Sequence, residues 1–260
     1  MKNNHFTILI PAYNCEKWIK RNLKSAMKQD YDNYEVFYIN DASTDGTAEM
    51  LREIHDSVEP SNCILKTIHN KINRRALANL YDGVNMSQDG TIIVALDGDD
   101  WLANRQVLST LNEIYQDDKV WITAGSYIEN TGGRVVRPVI SADYWDGNIR
   151  QKEWTFSHLR TFRKELFQEI RRADMIDIDG DFYKFTWDRV IMYPMIEMAG
   201  PNHFTDIQKI QYVYNRTNPI SVDRVHRRDQ LRIEADLKRK TPYPRSVSYT
   251  HLTLPTIYSV

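Results

Sequence analysis

The stretch that decides the fold is Thr91-Ile92-Ile93-Val94-Ala95-Leu96-Asp97-Gly98-Asp99-Asp100-Trp101. Its first six residues are almost all apolar or β-branched and predict a buried strand. The next four are three carboxylates and one glycine, which are typical of a turn where the chain leaves the core. The sequence therefore predicts that acidic side chains are placed at the end of a buried strand.

Asp97 and Asp99 are candidate ligands for a divalent metal ion. Carboxylates so close together repel one another unless they are fully solvated or share a cation. Their oxygen atoms suit a hard ion such as Mg²⁺ or Mn²⁺, with substrate phosphates completing the coordination. A solvated acidic turn without a metal ion is the alternative, because Asp and Gly are ordinary turn residues. The EF-hand pattern is excluded, since its later Glu is missing.

The composition is that of a globular α/β domain that needs neither disulfides nor a metal ion to fold. The chain has 260 residues, 42% of them hydrophobic, which is enough for a full core. A net charge of -1 gives no general electrostatic reason to bind nucleic acid or an anionic membrane. Cys15 and Cys63 are isolated, and no apolar run resembles a signal peptide or a transmembrane segment. We therefore expect a cytoplasmic protein, with peripheral membrane attachment left open.

Strand and helix patterns alternate in the first half of the chain. Strands are predicted at residues 6–10, 35–39, 63–68 and 91–96, with helices at residues 15–29, after residue 47 and at residues 76–84. Pro11 is expected to end the first strand. This alternation predicts a parallel, doubly wound sheet.

Three polar loops follow strands of this predicted sheet, at residues 11–14, 40–47 and 97–101. In such sheets ligands bind outside the carboxyl ends of the strands, so we expect these loops to converge on a nucleotide site. Neither a P-loop nor a Rossmann glycine pattern follows the first strand, which argues against ordinary kinases and dehydrogenases.

The second half of the chain is less regular. Helices are predicted at residues 104–115, 164–170 and 227–240, and strands at residues 120–124, 157–162 and 209–214. A further helix at residues 186–200 is expected to be interrupted or kinked at Pro194. Residues 140–154 show no hydrophobic periodicity. They form either a binding loop or a stretch whose secondary structure the hydrophobic pattern does not predict. The acidic run at residues 174–181 favours a solvated loop, with a second metal site as the alternative.

Three motifs resemble those of the family-two nucleotide-sugar glycosyltransferases. They are Ile10-Pro11-Ala12-Tyr13-Asn14, Asn40-Asp41-Ala42-Ser43-Thr44-Asp45-Gly46-Thr47 and Leu96-Asp97-Gly98-Asp99-Asp100, in that family's order and spacing. Ala42 stands where Gly is commoner. The resemblance runs from Phe6 to about Arg245 and implies the GT-A fold, a Rossmann-like α/β sandwich with a mostly parallel central sheet flanked by helices. It implies a nucleotide-sugar-binding half at residues 1–125 and an acceptor-side half at residues 126–245.

The same resemblance implies an activity. The protein would move a sugar from a UDP- or GDP-sugar to a hydroxyl, with inversion and with the help of Mn²⁺ or Mg²⁺. The acceptor would be a glycan, a lipid-linked glycan or another hydroxyl compound. One alternative is a catalytically silent protein that binds a nucleotide sugar or a carbohydrate. A sugar-phosphate nucleotidyltransferase is less favoured, because that class needs a glycine-rich basic loop after the first strand.

The resemblance also implies which residues bind the donor and the metal ion. The base and ribose would lie around Pro11, Tyr13 and Asp41. Arg75, Asp97 and Gly98 would complete the donor site. Asp99, together with Asp97, would correspond to the metal-binding DxD motif.

On the acceptor side, the resemblance implies that Asp188 is the general base that deprotonates the acceptor hydroxyl, with Asp181 as second choice. Trp187 and His158 would contact the acceptor, although His158 and Arg160 are equally well explained as a structural pair. Residues 218–219 with Arg224 and His226 resemble a loop that closes over the diphosphate.

The last residues do not continue the predicted basic helix. The run Val247-Ser248-Tyr249-Thr250-His251-Leu252-Thr253-Leu254-Pro255-Thr256 reads like the in-frame translation of a transposase sequencing adapter. We therefore interpret residues 246–260 as a non-native tail and leave them out of the fold prediction. Source DNA in which a native gene continues through this region would contradict the interpretation.

Overall fold

The computed structural model describes residues 1–57, 63–220 and 225–246. Within these ranges the chain forms one nine-stranded sheet with helices packed against it. Residues 247–260, which make up most of the proposed non-native tail, lie outside the described residues. No helix in the described ranges is long and apolar enough to cross a lipid bilayer.

The strands are β1 (Phe6–Ala12), β2 (Tyr34–Asn40), β3 (Cys63–His69), β4 (Ile92–Ala95), β5 (Trp101–Leu102), β6 (Ile122–Glu129), β7 (Val135–Val136), β8 (Arg160–Arg163) and β9 (Phe204–Tyr214). The helices are α1 (Ile19–Met27), α2 (Thr47–Ser57), α3 (Arg75–Met86), α4 (Val107–Ile114), α5 (Lys164–Gln168), α6 (Trp187–His203) and α7 (Arg227–Arg239). Short 3-10 turns cover Ala142–Trp145, Ile149–Gln151 and Arg172–Met175. The sheet order is β3-β2-β1-β4-β8-β6-β9-β5, and β7 pairs with β6.

β1 is the central strand of the parallel half of the sheet, between β2 and β4. All seven of its residues are buried. Successive side chains point to opposite faces of a strand, so Phe6, Ile8 and Ile10 join the core under α1, α2 and α4. Leu9 joins the core under α3, α5 and α6 on the other face. A sheet covered on both faces by helices confirms the predicted α/β architecture.

The sheet is parallel from β1 to β4 and mostly parallel as a whole, which confirms the prediction, but the second half of the chain adds antiparallel pairings. β8 lies between β4 and β6 and is antiparallel to both, and β5 is antiparallel to β9. Among the described residues the longest pairings, those of β1 with β2, β2 with β3 and β6 with β9, are all parallel. The alternation of strand and helix stops at β6, which turns directly into β7, and an antiparallel arrangement needs no crossover helix.

Two expectations about proline residues are wrong. β1 continues through Pro11 to Ala12, because β4 pairs with β1 only as far as Leu9. Beyond Leu9 one edge of β1 is open, and the missing N–H of proline is tolerated on an open edge. In α6, Pro194 lies within the helix, and the non-helical backbone is at Gly200, with φ 57° and ψ -171°.

Residues 140–154 pack under α6 and α7. The Arg150 side chain is buried and donates to both carboxylate oxygens of Glu197 at 2.6 and 2.7 Å and to the carbonyl oxygen of Leu237 at 3.1 Å. Tyr144 and Ile149 are buried in the same core. The absence of a period therefore reflects two short 3-10 turns that carry core side chains.

Ala42, at the position where the resembling family more often has Gly, has a backbone φ of 57°. This left-handed conformation costs a non-glycine residue about 1–2 kcal/mol, whereas glycine loses about 0.5–1 kcal/mol of backbone entropy on folding. We expect Ala42→Gly to raise the free energy of unfolding by up to about 1 kcal/mol. Ala48→Gly, inside α2, should lower it by about 0.5–1 kcal/mol in the same urea titration. A destabilised Ala42→Gly variant would contradict the reasoning.

Candidate active site

The three polar loops that follow β1, β2 and β4 meet around one cavity of about 480 Å³. β8, β9 and the first turn of α6 close its other side. The following side chains, all assigned to the site from the sequence, line this cavity: Pro11, Tyr13, Asp41, Arg75, Asp97, Gly98, Asp99, His158, Trp187 and Asp188. Asp181 is exposed and lies outside the cavity lining.

Side chains of α1 and β9 hold the acidic turn after β4 through hydrogen bonds. The buried Asn22 side chain donates to the carbonyl oxygens of Asp97 and Asp100 at 3.0 and 2.8 Å. The Asp100 carboxylate points into the protein, where it accepts hydrogen bonds from the Tyr212 hydroxyl at 2.5 Å and the Asn215 backbone N–H at 2.7 Å. All three acids of this turn lie at the cavity, but the Asp100 carboxylate is also held from inside the protein by Tyr212 and Asn215.

Gly98 allows the acidic turn to touch the end of β1. A Cβ atom at this position would lie 2.5 Å from Ala12 Cβ, 2.9 Å from Ala12 Cα and 3.1 Å from the carbonyl oxygen of Pro11. These atoms belong to a buried strand and cannot move aside easily. We expect Gly98→Ala to lower the free energy of unfolding by about 1–3 kcal/mol, as overpacking does.

A matched control for this prediction is Gly46→Ala. The nearest atoms to a Cβ at Gly46 belong to the carboxyl end of the Glu16 side chain, at 2.7 Å, and this flexible group can swing away. Urea unfolding of the two variants checks the prediction. Equal stability of Gly98→Ala and the wild type would show that the turn has room to shift.

Negative charge concentrates in the cavity. Burial raises the pKa of Asp97 to about 7; the positive charge of Arg160 opposes the shift, and the charges of Asp99 and Asp188 add to it. Burial also raises the pKa of Asp100 well above its usual value, with the charges of Asp99 and Asp97 adding to the effect. Like charges in a partly buried cavity disfavour one another, so a cation bound among them would be stabilised.

The residues present fit a hard divalent ion. Asp97 and Asp99 offer carboxylate oxygens at the cavity wall, and such oxygens are the preferred ligands of Mg²⁺ and Mn²⁺. Within the described ranges, Asp97, Asp100 and His158 also bring potential ligand atoms to within 4.8 Å of one another. Asp100 is committed to Tyr212 and Asn215, so we favour Asp97 and Asp99 as the pair that faces an ion.

Asp41 caps the first turn of α3. Its carboxylate accepts hydrogen bonds from Asn70 Nδ2 at 2.7 Å and from the backbone N–H groups of Arg74 and Arg75, both at 2.8 Å. A carboxylate has about four lone-pair sites, so roughly one remains for a ligand. Asp41 therefore holds the part of the cavity wall that carries Arg75 in place, with or without a bound ligand.

Asp188 lies in the first turn of α6 and is bound to Arg160 on β8. Arg160 Nη2 donates to Asp188 Oδ2 at 2.9 Å, and Arg160 Nη1 lies 3.0 Å from His158 Nδ1. Burial, with the nearby Arg160 charge, lowers the pKa of His158 well below its usual value, so the imidazole is neutral near pH 7. A neutral His158 accepts from Arg160 at Nδ1 and carries its proton on Nε2.

His158 also stacks on two aromatic rings of β9. The ring centroids of Tyr212 and Tyr214 lie 4.5 and 5.3 Å from that of His158. Trp187 lies across Arg160, with the guanidinium carbon 5.3 Å from the ring centroid. The residues that the sequence prediction assigns to the acceptor side thus form one packed group with Arg160, which agrees with the interpretation of His158 and Arg160 as a structural pair. Their contact with an acceptor stays a prediction.

Several lining or supporting residues have no signal in the sequence. Asn22, Lys184, Phe185 and Tyr212 belong to no motif, and long-range pairing of β5 with β9 and of β4 with β8 brings them close to the motif residues. Asn218, from the loop that the resemblance places over the diphosphate, also lines the cavity. His226 stacks on Phe185 at 4.2 Å and lines the cavity, whereas Arg224 lies outside the described residues.

The acidic run at residues 174–181 is bound to basic side chains. Arg171 Nε donates to Asp174 at 2.8 Å and Arg232 Nη2 donates to Asp177 at 2.9 Å. Among the described residues, the group of three potential metal ligands lies in the cavity instead. Asp174 and Asp177 are thus paired with arginines rather than simply solvated, and this pairing argues against a second metal site at these residues.

Known proteins share this fold. A mannosyltransferase from Pyrobaculum calidifontis, solved with GDP-Man and Mn²⁺, superposes with a TM-score of 0.63 at 22% identity, over 94% of this chain and 67% of that one. S. aureus TarS 1-349, solved in complex with UDP, gives 0.60 at 18% identity, over 90% of this chain and 65% of that one. These likenesses confirm the GT-A fold.

Sequence comparison identifies the family. Glycosyltransferase GlyA of Streptococcus pneumoniae is 30% identical over 192 residues, which are 70% of this chain and 25% of GlyA. The colanic acid biosynthesis glycosyl transferase WcaA of Escherichia coli is 32% identical over 130 residues, 46% of this chain and 45% of WcaA. The chain thus spans between a quarter and a half of the length of these relatives. The sequence pattern of glycosyl transferase family 2 matches residues 7–183, about two thirds of the chain, and the protein belongs to that family.

Proposed function

We propose that this glycosyltransferase moves a sugar from a nucleoside diphosphate donor to an acceptor hydroxyl with inversion, assisted by Mn²⁺ or Mg²⁺. The observation that carries the proposal is the meeting of Asp41, Asp97, Asp99 and Asp188 around one cavity. These carboxylates come from two loops and a helix that are far apart in sequence. A silent binding protein would not need a carboxylate at Asp188.

The donor would enter the cavity with its base and ribose beside Pro11, Tyr13 and Asp41. Arg75 lines the same wall, and its guanidinium can donate to the diphosphate. Asp97 and Asp99 would hold Mn²⁺ or Mg²⁺, and the bound ion would act as a Lewis acid that neutralises charge on the leaving diphosphate. Gly98 lets these two carboxylates approach the donor-binding loop after β1.

Asp188 would act as the general base. The acceptor oxygen attacks the anomeric carbon from the side opposite the diphosphate, the bond to the diphosphate breaks, and the hydroxyl proton passes to the Asp188 carboxylate. One displacement of this kind inverts the anomeric carbon. Arg160 already occupies Asp188 Oδ2, which fixes the direction of the carboxylate at the cavity wall. His158 and Trp187 would line the acceptor side.

Relatives support a nucleotide-sugar donor without selecting one. TarS has been solved with UDP-GlcNAc, and the Pyrobaculum mannosyltransferase with GDP-Man. We therefore propose a UDP- or GDP-sugar as donor. For the acceptor we propose a hydroxyl of a glycan or of a lipid-linked glycan.

Incubation with UDP- and GDP-sugars tests the proposal. We expect release of UDP or GDP that depends on Mn²⁺ or Mg²⁺ and stops in excess EDTA. Once a donor and a hydroxyl acceptor are found, NMR of the first product formed should show the inverted anomeric configuration. Turnover that is unchanged in EDTA would contradict the metal-assisted part, and a retained configuration would contradict the single displacement.

A further inference from the structure

Asp99 is hydrogen-bonded to the turn that follows β9. Asn218 Nδ2 donates to Asp99 Oδ2 at 2.6 Å, and Asn215 Nδ2 donates to the Asp99 carbonyl oxygen at 3.0 Å. The Asn215 backbone N–H binds Asp100 in the same turn. Residues 215–218 are therefore bonded to the acidic turn, which lies 115 or more residues earlier in the chain.

The orientation of the Asn218 amide is fixed from both ends. Asn218 Oδ1 accepts the Ile220 backbone N–H at 3.0 Å, and a backbone N–H can only donate. The carboxylate oxygen of Asp99 can only accept when ionised, so it must face the amide N–H. Rotating the amide by half a turn would break both bonds. Asn218 is 95% buried, with 5% of its surface exposed, so water cannot easily replace either bond.

From this geometry we infer that Asn218 is a positioning residue for the divalent ion, which holds the Asp99 carboxylate in the direction that coordination requires. The inference rests on the proposed metal site. Each carboxylate oxygen has two lone pairs, so Asp99 can accept from Asn218 and still bind an ion. Partners of this kind, which orient a metal ligand from behind, change metal affinity about 10–100-fold when they are lost.

The residue that binds the Asp99 carboxylate also lines the cavity. Asn218 and Ile220 line the cavity, as do Val225 and His226 later in the chain. The segment that carries Asn218 thus contributes both to the support of Asp99 and to the lining of the cavity. Asn218 is the described side chain that joins these two features by a direct hydrogen bond to Asp99.

Asn218→Ser is the sharpest test. A serine hydroxyl can still accept the N–H two residues later, as in an ST-turn, but it is too short to reach Asp99. The turn is thereby kept while the bond to Asp99 is lost. Asn218→Ala removes both bonds and serves as a second variant. Asn85→Ala, on the exposed face of α3, is the matched control.

Mn²⁺ alone is the probe, and its binding is followed by loss of the EPR signal of the free ion. We expect the dissociation constant to rise about 10–100-fold in Asn218→Ser and Asn218→Ala and to stay unchanged in Asn85→Ala. Far-UV circular dichroism confirms that the variants are folded. Unchanged or tighter Mn²⁺ binding by Asn218→Ser would overturn the inference. A wild-type protein that binds no Mn²⁺ would contradict the proposed metal site itself, and the inference with it.

Discussion

Asp188→Asn is expected to lower the rate of sugar transfer by about 10²–10⁴, the contribution that a well-placed general base makes. The amide is nearly the same size as the carboxylate, so α6 should fold unchanged, but it cannot take up the acceptor proton. Donor binding should change little, because Asp188 lies on α6 and the proposed donor contacts lie after β1, β2 and β4. The measurement is the turnover number with saturating donor, alongside the affinity for the free nucleoside diphosphate.

The matched control is Asp181→Asn. Asp181 is exposed, outside the cavity lining and only seven positions from Asp188 in sequence. We expect full activity from this variant. Normal turnover by Asp188→Asn, or a comparable loss in Asp181→Asn, would show that the base is assigned to the wrong residue. Unchanged nucleotide binding together with no turnover in either the wild type or the variants would favour the silent binding protein.

Asp99→Asn is expected to weaken Mn²⁺ binding by at least about 100-fold, more than the loss of a residue that only orients a ligand. The substitution removes one negative charge and one strong oxygen ligand from a site whose other carboxylate, Asp97, is already disfavoured as an anion. Folding should survive, since Asn215 binds the backbone carbonyl of Asp99 and the amide oxygen of an asparagine at position 99 can still accept from Asn218 Nδ2. Titration followed by the EPR signal of free Mn²⁺ gives the two dissociation constants.

Asp56→Asn, on the exposed surface of α2, controls for the general loss of negative charge. It should bind Mn²⁺ as the wild type does. If Asp99→Asn retained the wild-type affinity, the ion would bind elsewhere, and the group formed by Asp97, Asp100 and His158 would become the next candidate.

The first half of the site was predictable because it depends on parallel strands. Strands of one direction in a doubly wound sheet end at one edge, so the loops after β1, β2 and β4 had to meet once the strands were recognised. The motifs around Asp41 and Asp97 then implied the chemistry. The pattern could not show that residues of one motif have different roles. Asp100 looks like Asp99 in the sequence, but the structure turns it inward onto Tyr212.

The second half of the site was not predictable from local patterns. Arg160 reaches Asp188 because β8 inserts antiparallel between β4 and β6, and no feature of the residues before β8 specifies that position. Asn218 reaches Asp99 because β9 runs beside β5 directly after the acidic turn. Strand pairings of this kind depend on how the whole core packs. The alternation of apolar and polar residues along a strand indicates only which face of the strand is buried.

The central claim is that the carboxylates around the cavity form a site that binds a cation and the diphosphate of a nucleotide. Calorimetric titration of UDP and of GDP into the protein, in Mn²⁺ and again in EDTA, tests it most directly. We predict that at least one of the two nucleotides binds about tenfold or more tightly in Mn²⁺, a difference of about 1.4 kcal/mol. Failure of both to bind, or equal affinities in Mn²⁺ and in EDTA, would contradict the account.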